Sequence, residues 1–353
     1  MSNFANTLKK FRNANWFLGH LYAYKTLYTR GRRLKAGKPV VFNAELFFDT
    51  RCNFHCHHCS ISKFQQQEGK KFMSLAEIER VAEELRRVNC FLCCLVGGEP
   101  TLRPDLPEIV NAFHSRQILP TLITNGYLLD AKRLAELKKA GVFSIGVSFN
   151  GGSESEHDAF VGRQGAYPRA LAALGLLKDM GVRRSICVVP THQNLANGEY
   201  EALIRFAQRE NIRVNVNYPA LAGEFTDDYG QLLERRPSSG PGDRTLFHAS
   251  PNVGSDFTVL ADKYECPAGR KKIYILPDGQ VTPCTFIHIS FGNLLEEPIE
   301  EVMGRIWSTG EFMRRPDICL VGESAEWNKE FLTPVFASQK VPLHFKDHPK
   351  LGA

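Results

Sequence analysis

The sequence predicts an α/β fold, a partial (β/α)6 TIM-like barrel with a small C-terminal β-hairpin extension. Three observations predict it. Between residues 41 and 217, apolar runs of strand length alternate six times with amphipathic stretches at helical spacing, the pattern of parallel strands joined by crossover helices. Six units are fewer than the eight of a closed barrel, so the barrel is expected to be open. Beyond residue 260, Pro277-Asp278-Gly279 separates two short apolar runs, a hairpin signal. The chain has 353 residues, 43% apolar and 23% charged, which suits a folded barrel with an extension and excludes disorder as the default.

Each element has a local cause. Val41 to Phe48 is a strand-length apolar run. Ser74 with Glu77 makes a capping box ahead of Leu75, Ile78, Val81, Leu85 and Val88 at helical spacing. Phe91 to Val96 is the second strand, and Pro104 to Phe113 reads as helix. Leu119 to Thr124 follows, then a helix capped by Asp130 that stops before Gly141. Val142 to Phe149, a helix ending near Gly181, Val182 to Val189, a helix around Leu203 and Phe206, and Ile212 to Val216 complete the series. The hairpin strands are Lys272 to Leu276 and Gln280 to Pro283.

These elements divide the chain into a leader (1–40), a barrel (41–221), a polar, turn-rich connection (222–265), an extension (266–335) and a tail (336–353). The leader holds nine basic residues and no acidic one, while the remainder carries 35 basic and 38 acidic, so the net charge of +6 sits at the N-terminus. A global nucleic-acid-binding surface is not expected from that distribution. Phe4, Phe11, Trp16, Phe17, Tyr22, Tyr24 and Tyr28 interleave with the basic residues. Such a segment serves either peripheral contact with an anionic membrane or packing against the barrel. No apolar run is long enough to span a membrane, and no secretory signal is evident. A cytoplasmic place follows, with peripheral contact at the inner membrane face through the leader.

Ten cysteines in a chain of this size without a secretory signal read as reduced thiols or metal ligands. Cys52, Cys56 and Cys59 follow the first strand with C-x3-C-x2-C spacing. Three thiolates on one loop suit an iron–sulfur cluster or zinc, with His55, His57 and His58 beside them. A zinc-stabilised binding module without redox chemistry is the alternative that spacing leaves open, and a scaffold that kept the fold without the chemistry is another. Cys90, Cys93, Cys94 and Cys187 fall in strands expected to be buried and are assigned no chemistry.

At the ends of the next three strands stand Gly97-Gly98-Glu99-Pro100, Thr124-Asn125-Gly126 and Ser148-Phe149-Asn150-Gly151. With the cysteine loop, these four motifs in this order resemble the radical S-adenosylmethionine (radical SAM) enzymes over residues 41–217. The resemblance implies a [4Fe–4S] cluster on Cys52, Cys56 and Cys59 whose open iron chelates S-adenosylmethionine. It implies reductive cleavage of that cofactor to a 5′-deoxyadenosyl radical, which abstracts hydrogen from an unknown substrate, a natural-product, lipid or peptide precursor. A reductant such as flavodoxin or ferredoxin is needed. Gly97 and Gly98 would let backbone approach the ligand, and Glu99 would meet the methionine ammonium. Thr124 and Asn125 belong to the same cofactor-binding set. Ser148 and Asn150 would bond the ribose or carboxylate, although relatives often carry Asp at the position of Asn150. Arg163 stands where some relatives bind the carboxylate.

Cys266, the hairpin with Gly279, and Cys284 form a C-x12-G-x4-C pattern, with Cys319 farther on. This set resembles the twitch or SPASM extensions that hold auxiliary iron–sulfur clusters. Three cysteines imply at most one such cluster, with its fourth iron left to a non-Cys ligand, solvent or substrate, and make net oxidation the expected outcome.

Overall fold

The computed structural model describes residues 28–29, 32–33, 35–36, 40–56, 59–62, 72–217, 253–254, 266–314, 318–338 and 340–352. Most of the leader and most of the 222–265 connection therefore lie outside the described residues. At the leader's end, Arg33 donates to the Arg87 carbonyl at 2.9 Å and lies 3.7 Å from Glu300, so this residue is tied to both the barrel and the extension.

The barrel begins with β1 (Asn43–Phe47) and runs through α1 (Leu75–Arg87), β2 (Leu92–Val96), α2 (Leu106–His114), β3 (Leu119–Thr124), α3 (Ala131–Ala140) and β4 (Ser144–Ser148). It continues with α4 (Glu154–Val161), α5 (Ala166–Asp179), β5 (Arg184–Val188), α6 (His192–Ala196), α7 (Glu199–Arg209) and β6 (Arg213–Val216). Neighbouring strands from β1 to β6 all pair in parallel. The capping box forms as expected: Ser74 Oγ accepts from Glu77 N at 3.3 Å, and the Glu77 carboxylate accepts from Ser74 N at 2.9 Å. Asp130 caps α3 through Arg133 N, and Gly141 ends that helix in the left-handed region at φ +96°.

Side-chain alternation along the strands divides the barrel wall. Ala44 and Leu46 of β1, with Leu95, Leu122, Ile145, Ile186 and Val214, pack outward against Ile78, Phe113, Leu134, Leu174 and Leu203 of the helices. Glu45 faces the interior, where Val96, Ile123 and Ser148 line a central cavity.

Four features depart from the expected layout. First, β7 (Val253–Gly254) pairs in parallel with β6, so a strand lies inside the segment expected to be only a connection. Second, the hairpin of β8 (Lys272–Ile275) and β9 (Val281–Thr282) forms, but β8 pairs in parallel with β1 over Asn43 to Leu46. The sheet thus runs β7-β6-β5-β4-β3-β2-β1-β8-β9, and the extension is joined to the barrel wall. All four residues of β8 are buried, which one hairpin alone could not achieve. Third, the single helix expected before Gly181 is two, α4 and α5, because Gly162 and Gly165 at φ +65° and +72° break it. Fourth, the expected tail is built into the extension. There β10 (Ile289–Ser290) pairs in parallel with β11 (Leu343–His344), and Phe345 stacks on Phe291 at 5.3 Å. Helix α8 (Ile299–Ser308) and short helical turns between residues 320 and 337 cover the rest of the extension. No described helix is long and apolar enough to cross a membrane.

Candidate active site

The strand ends converge on a cavity of about 290 Å³. Cys52, Cys56 and Cys59 line it together with Cys266, Cys284 and Cys319. Gly97, Gly98, Glu99, Thr124, Asn125, Ser148 and Asn150 line the same cavity. Two cysteine sets more than 200 residues apart in sequence therefore share one space, an outcome of β8 lying against β1.

The glycine turn is knitted to the cysteine loop by backbone. Gly98 N donates to Asp49 O and Glu99 N to Arg51 O, both at 2.8 Å. A Cβ on Gly97 would come to 2.7 Å from Asp49 O, and one on Gly98 to 2.7 Å from Thr50 O and 2.5 Å from the Arg51 carbonyl carbon. Only glycine lets these two segments lie this close.

Glu99 is buried, and its carboxylate gathers the next strand end. Oε1 accepts from Thr101 N at 2.9 Å and from the hydroxyls of Thr101 and Thr124 at 2.6 Å each, while Oε2 accepts from Asn125 N at 2.7 Å. Burial pushes its pKa up, and these donors oppose the rise. An ammonium group arriving in the cavity would stabilise the ionised form further. Asn125 then donates to Asn53 Oδ1 at 2.8 Å, tying β3 to the cysteine loop.

Two further residues of the expected cofactor-binding set make contacts of their own; Asn150 lines the cavity and Arg163 does not. Asn150 Oδ1 accepts from Val189 N at 3.0 Å, and Asn150 N donates to His157 Nδ1 at 3.1 Å, so this residue braces the ends of β4 and β5. Arg163 is exposed and does not line the cavity; its guanidinium lies over the Tyr127 ring at 4.8 Å. The αL turn after α4 carries it outward, a direction that no sequence pattern records.

His157 is fully buried beside Phe149 and Tyr167, and burial lowers its pKa to about 4. It is neutral in the folded protein, whereas the unfolded chain binds its proton near pH 6.5. Stability is therefore present above that value and lost as pH falls through the folded pKa. Between pH 6.5 and 4 the folded protein is expected to lose up to about 3 kcal/mol through this group. Denaturant unfolding of the wild type and His157→Phe measures it: the difference in slope with pH should vanish in the variant, and equal slopes would refute the assignment.

The cysteines are desolvated thiols. Burial raises Cys52 to about 11 and Cys284 to about 12, and raises Cys56 with added repulsion from Cys52 and Cys59. The Lys272 ammonium opposes the rise at Cys284. Three mutually repelling sulfurs on one loop are a donor set that a cationic, sulfur-loving metal cluster relieves. The residues thus fit the group that the sequence implies.

Sequence reasoning missed the polar floor of the cavity. Glu45 Oε1 receives Lys272 Nζ at 2.9 Å, and the Thr285 hydroxyl donates to Glu45 Oε2. Both charged side chains are largely buried, and a lone carboxylate inside the apolar run of β1 was the signal for them.

Comparison with known proteins agrees with this geometry. Residues 47–207 match the radical SAM superfamily, and residues 266–319 match an iron–sulfur cluster-binding (SPASM) domain, together more than half of the chain. The chain is 25% identical over 290 residues to the AdoMet-dependent heme synthase of Methanosarcina barkeri, covering 75% of this chain and 81% of that protein. It is 28% identical over 276 residues to the mycofactocin maturase MftC of Mycobacterium ulcerans, covering 73% and 72%. In fold it is similar to Streptococcus suis SuiB bound to its precursor peptide SuiA, with a TM-score of 0.58, 17% identity and coverage of 82% and 70%. These matches decide between cluster and zinc. The chain belongs to the radical SAM superfamily: it is an iron–sulfur enzyme that uses S-adenosylmethionine and carries a SPASM-type cluster-binding domain.

Proposed function

We propose that this enzyme oxidises a peptide at a carbon held between its two cysteine sets. The carrying observation is that Cys52, Cys56 and Cys59 and Cys266, Cys284 and Cys319 line the same cavity. The substrate class is supported by the mycofactocin maturase, by a PqqA peptide cyclase at 26% identity, and by the peptide-bound SuiB fold. In this reading the first set holds the [4Fe–4S] cluster and the second holds one auxiliary cluster. Residues 41–221 then serve as the barrel, 222–265 as the connection and 266–335 as the cluster region. The basic leader serves contact with an anionic membrane face in the cytoplasm.

When bound, the cluster and S-adenosylmethionine supply a 5′-deoxyadenosyl radical that abstracts a substrate hydrogen. The residues of the chain bind and shield. Gly97 and Gly98 admit the cofactor close to backbone, and Glu99 presents a carboxylate to the cavity. Thr124 and Asn125 hold Glu99 in place through their hydrogen bonds, and Ser148 offers a hydroxyl from β4. Phe54, Val161 and Val189 line the cavity as apolar wall, which keeps water from a reactive carbon. The Glu45–Lys272 pair offers both charges to substrate polar groups at the floor.

Deuterium transfer tests the reading. Peptides deuterated at their side-chain carbons, incubated anaerobically with the reconstituted enzyme, should yield deuterated 5′-deoxyadenosine and a peptide lighter by a pair of hydrogens. Unlabelled 5′-deoxyadenosine with every peptide would discard the peptide substrate while leaving the radical chemistry in place.

A further inference from the structure

On the outside of the barrel, beside the first cysteine loop, lies a cationic patch that cofactor binding does not use. The Arg163 guanidinium sits 4.8 Å and that of Arg169 5.6 Å from the centre of the Tyr127 ring, and Arg163 Nη2 donates to the Tyr127 hydroxyl at 3.3 Å. Both arginines are exposed, and no carboxylate among the described residues forms an ion pair with either. Leu128, which follows Tyr127 in the chain, is a large apolar side chain that is 42% exposed. Two positive charges with no ion-pair partner among the described residues, a ring and an exposed leucine make a surface with the chemistry of an interface.

The patch is built directly onto the cysteine loop. Tyr127 meets Phe54 edge-on at 5.6 Å, and Phe54, Val161 and Ala166 form the small apolar cluster against which Cys52 and Cys56 pack. The turn bearing Arg163 is pressed onto the loop as well: a Cβ on Gly162 would lie 2.7 Å from the His55 carbonyl. Tyr127, Arg163 and Arg169 do not line the cavity, so a partner seated on them leaves it free for cofactor and substrate.

We propose that Tyr127, Leu128, Arg163 and Arg169 form the docking site for an acidic one-electron carrier protein that reduces the cluster on Cys52, Cys56 and Cys59. The inference rests on that loop holding a reducible cluster. The step is an outer-sphere transfer: the reduced carrier gives up one electron, the oxidised cluster takes it, and no bond is made or broken. Unneutralised guanidinium groups steer an acidic surface to the loop, and the ring and Leu128 supply the dry contact.

The probe is reduced flavodoxin, an acidic carrier, mixed with the reconstituted full chain without S-adenosylmethionine. Cluster bleaching is followed by stopped flow and complex formation by calorimetry. Arg169→Glu and Arg163→Glu/Arg169→Glu should slow flavodoxin-driven reduction by about tenfold or more at low salt, weaken binding in parallel and flatten the salt dependence. Reduction by dithionite, which needs no docking, should stay within about twofold of wild type. Lys139→Glu, an exposed charge reversal at the far end of α3, should leave both rates unchanged. Unchanged flavodoxin rates in the arginine variants would overturn the docking site. So would an equal loss with Lys139→Glu, which reduces the effect to net charge, or equal slowing with dithionite, which places the damage at the loop. A chain that forms no bleachable cluster would instead fail the function proposed above, and the two failures are read separately.

Discussion

Cys52→Ala/Cys56→Ala/Cys59→Ala abolishes formation of 5′-deoxyadenosine, and the iron content of the anaerobically reconstituted protein falls from about eight to about four per chain. The matching change at Cys266, Cys284 and Cys319 also removes about four irons but leaves slow, uncoupled cofactor cleavage. The asymmetry follows from what surrounds each set. The first is joined to the cofactor-binding groups by hydrogen bonds that Gly98 N, Glu99 N and the Asn125 amide donate to Asp49 O, Arg51 O and Asn53 Oδ1, so the thiols and those groups form one unit. The second is carried by the segments flanking β8 and β9, with Cys284 near the Glu45–Lys272 pair. Loss of the second cluster should therefore remove product while sparing cleavage. About four irons in the wild type would leave a single cluster and discard the auxiliary site. Loss of cleavage in both variants would show that the two sets are not separable.

Gly98→Ala is expected to unfold the site as effectively as loss of a ligand. Its Cβ would enter the space of the Thr50 and Arg51 carbonyl groups, at 2.7 Å from Thr50 O and 2.5 Å from the Arg51 carbonyl carbon. Those atoms are backbone and cannot rotate away, and they belong to the residues immediately before Cys52. Accommodation must shift the cysteine loop or the glycine turn, at a cost on the order of 3 kcal/mol. The melting temperature should drop by several degrees, and the affinity for S-adenosylmethionine by more than about tenfold. Gly175→Ala is the contrasting case. A Cβ there meets nothing within 4 Å, and the residue lies inside helix α5. That change should stabilise the protein by about 0.5–1 kcal/mol and leave cofactor binding untouched. Thermal unfolding and equilibrium binding of the two variants side by side measure both effects. Wild-type stability in Gly98→Ala would mean that the two segments are not held as closely as described.

The sequence by itself determined the six alternating strands of the barrel, the caps of α1 and α3, and the two cysteine sets as candidate metal ligands. Each of these is written locally. Strand alternation, helical spacing, capping boxes and ligand spacing act over a few residues, so a linear reading recovers them. The parallel sheet followed because alternating strands and helices leave a small set of topologies.

Only the tertiary structure decided where the extension goes. The hairpin was legible from Asp278-Gly279, but its pairing with β1 was not, because Asn43 and Lys272 meet across 229 positions of chain and no local pattern encodes the partner of a strand edge. That one pairing brings Cys266, Cys284 and Cys319 to the cavity of Cys52, Cys56 and Cys59, and sets Lys272 against Glu45. Direction was hidden in the same way. Arg163 lies close to the cysteine loop, yet the left-handed turn at Gly162 points it to Tyr127 and the outer surface. Asn150 ends β4 as expected but uses its side chain to brace β5. Residue type and spacing name the chemistry a chain can perform. Which groups share a space depends on long-range packing and on backbone turns, and these exist only in the folded molecule.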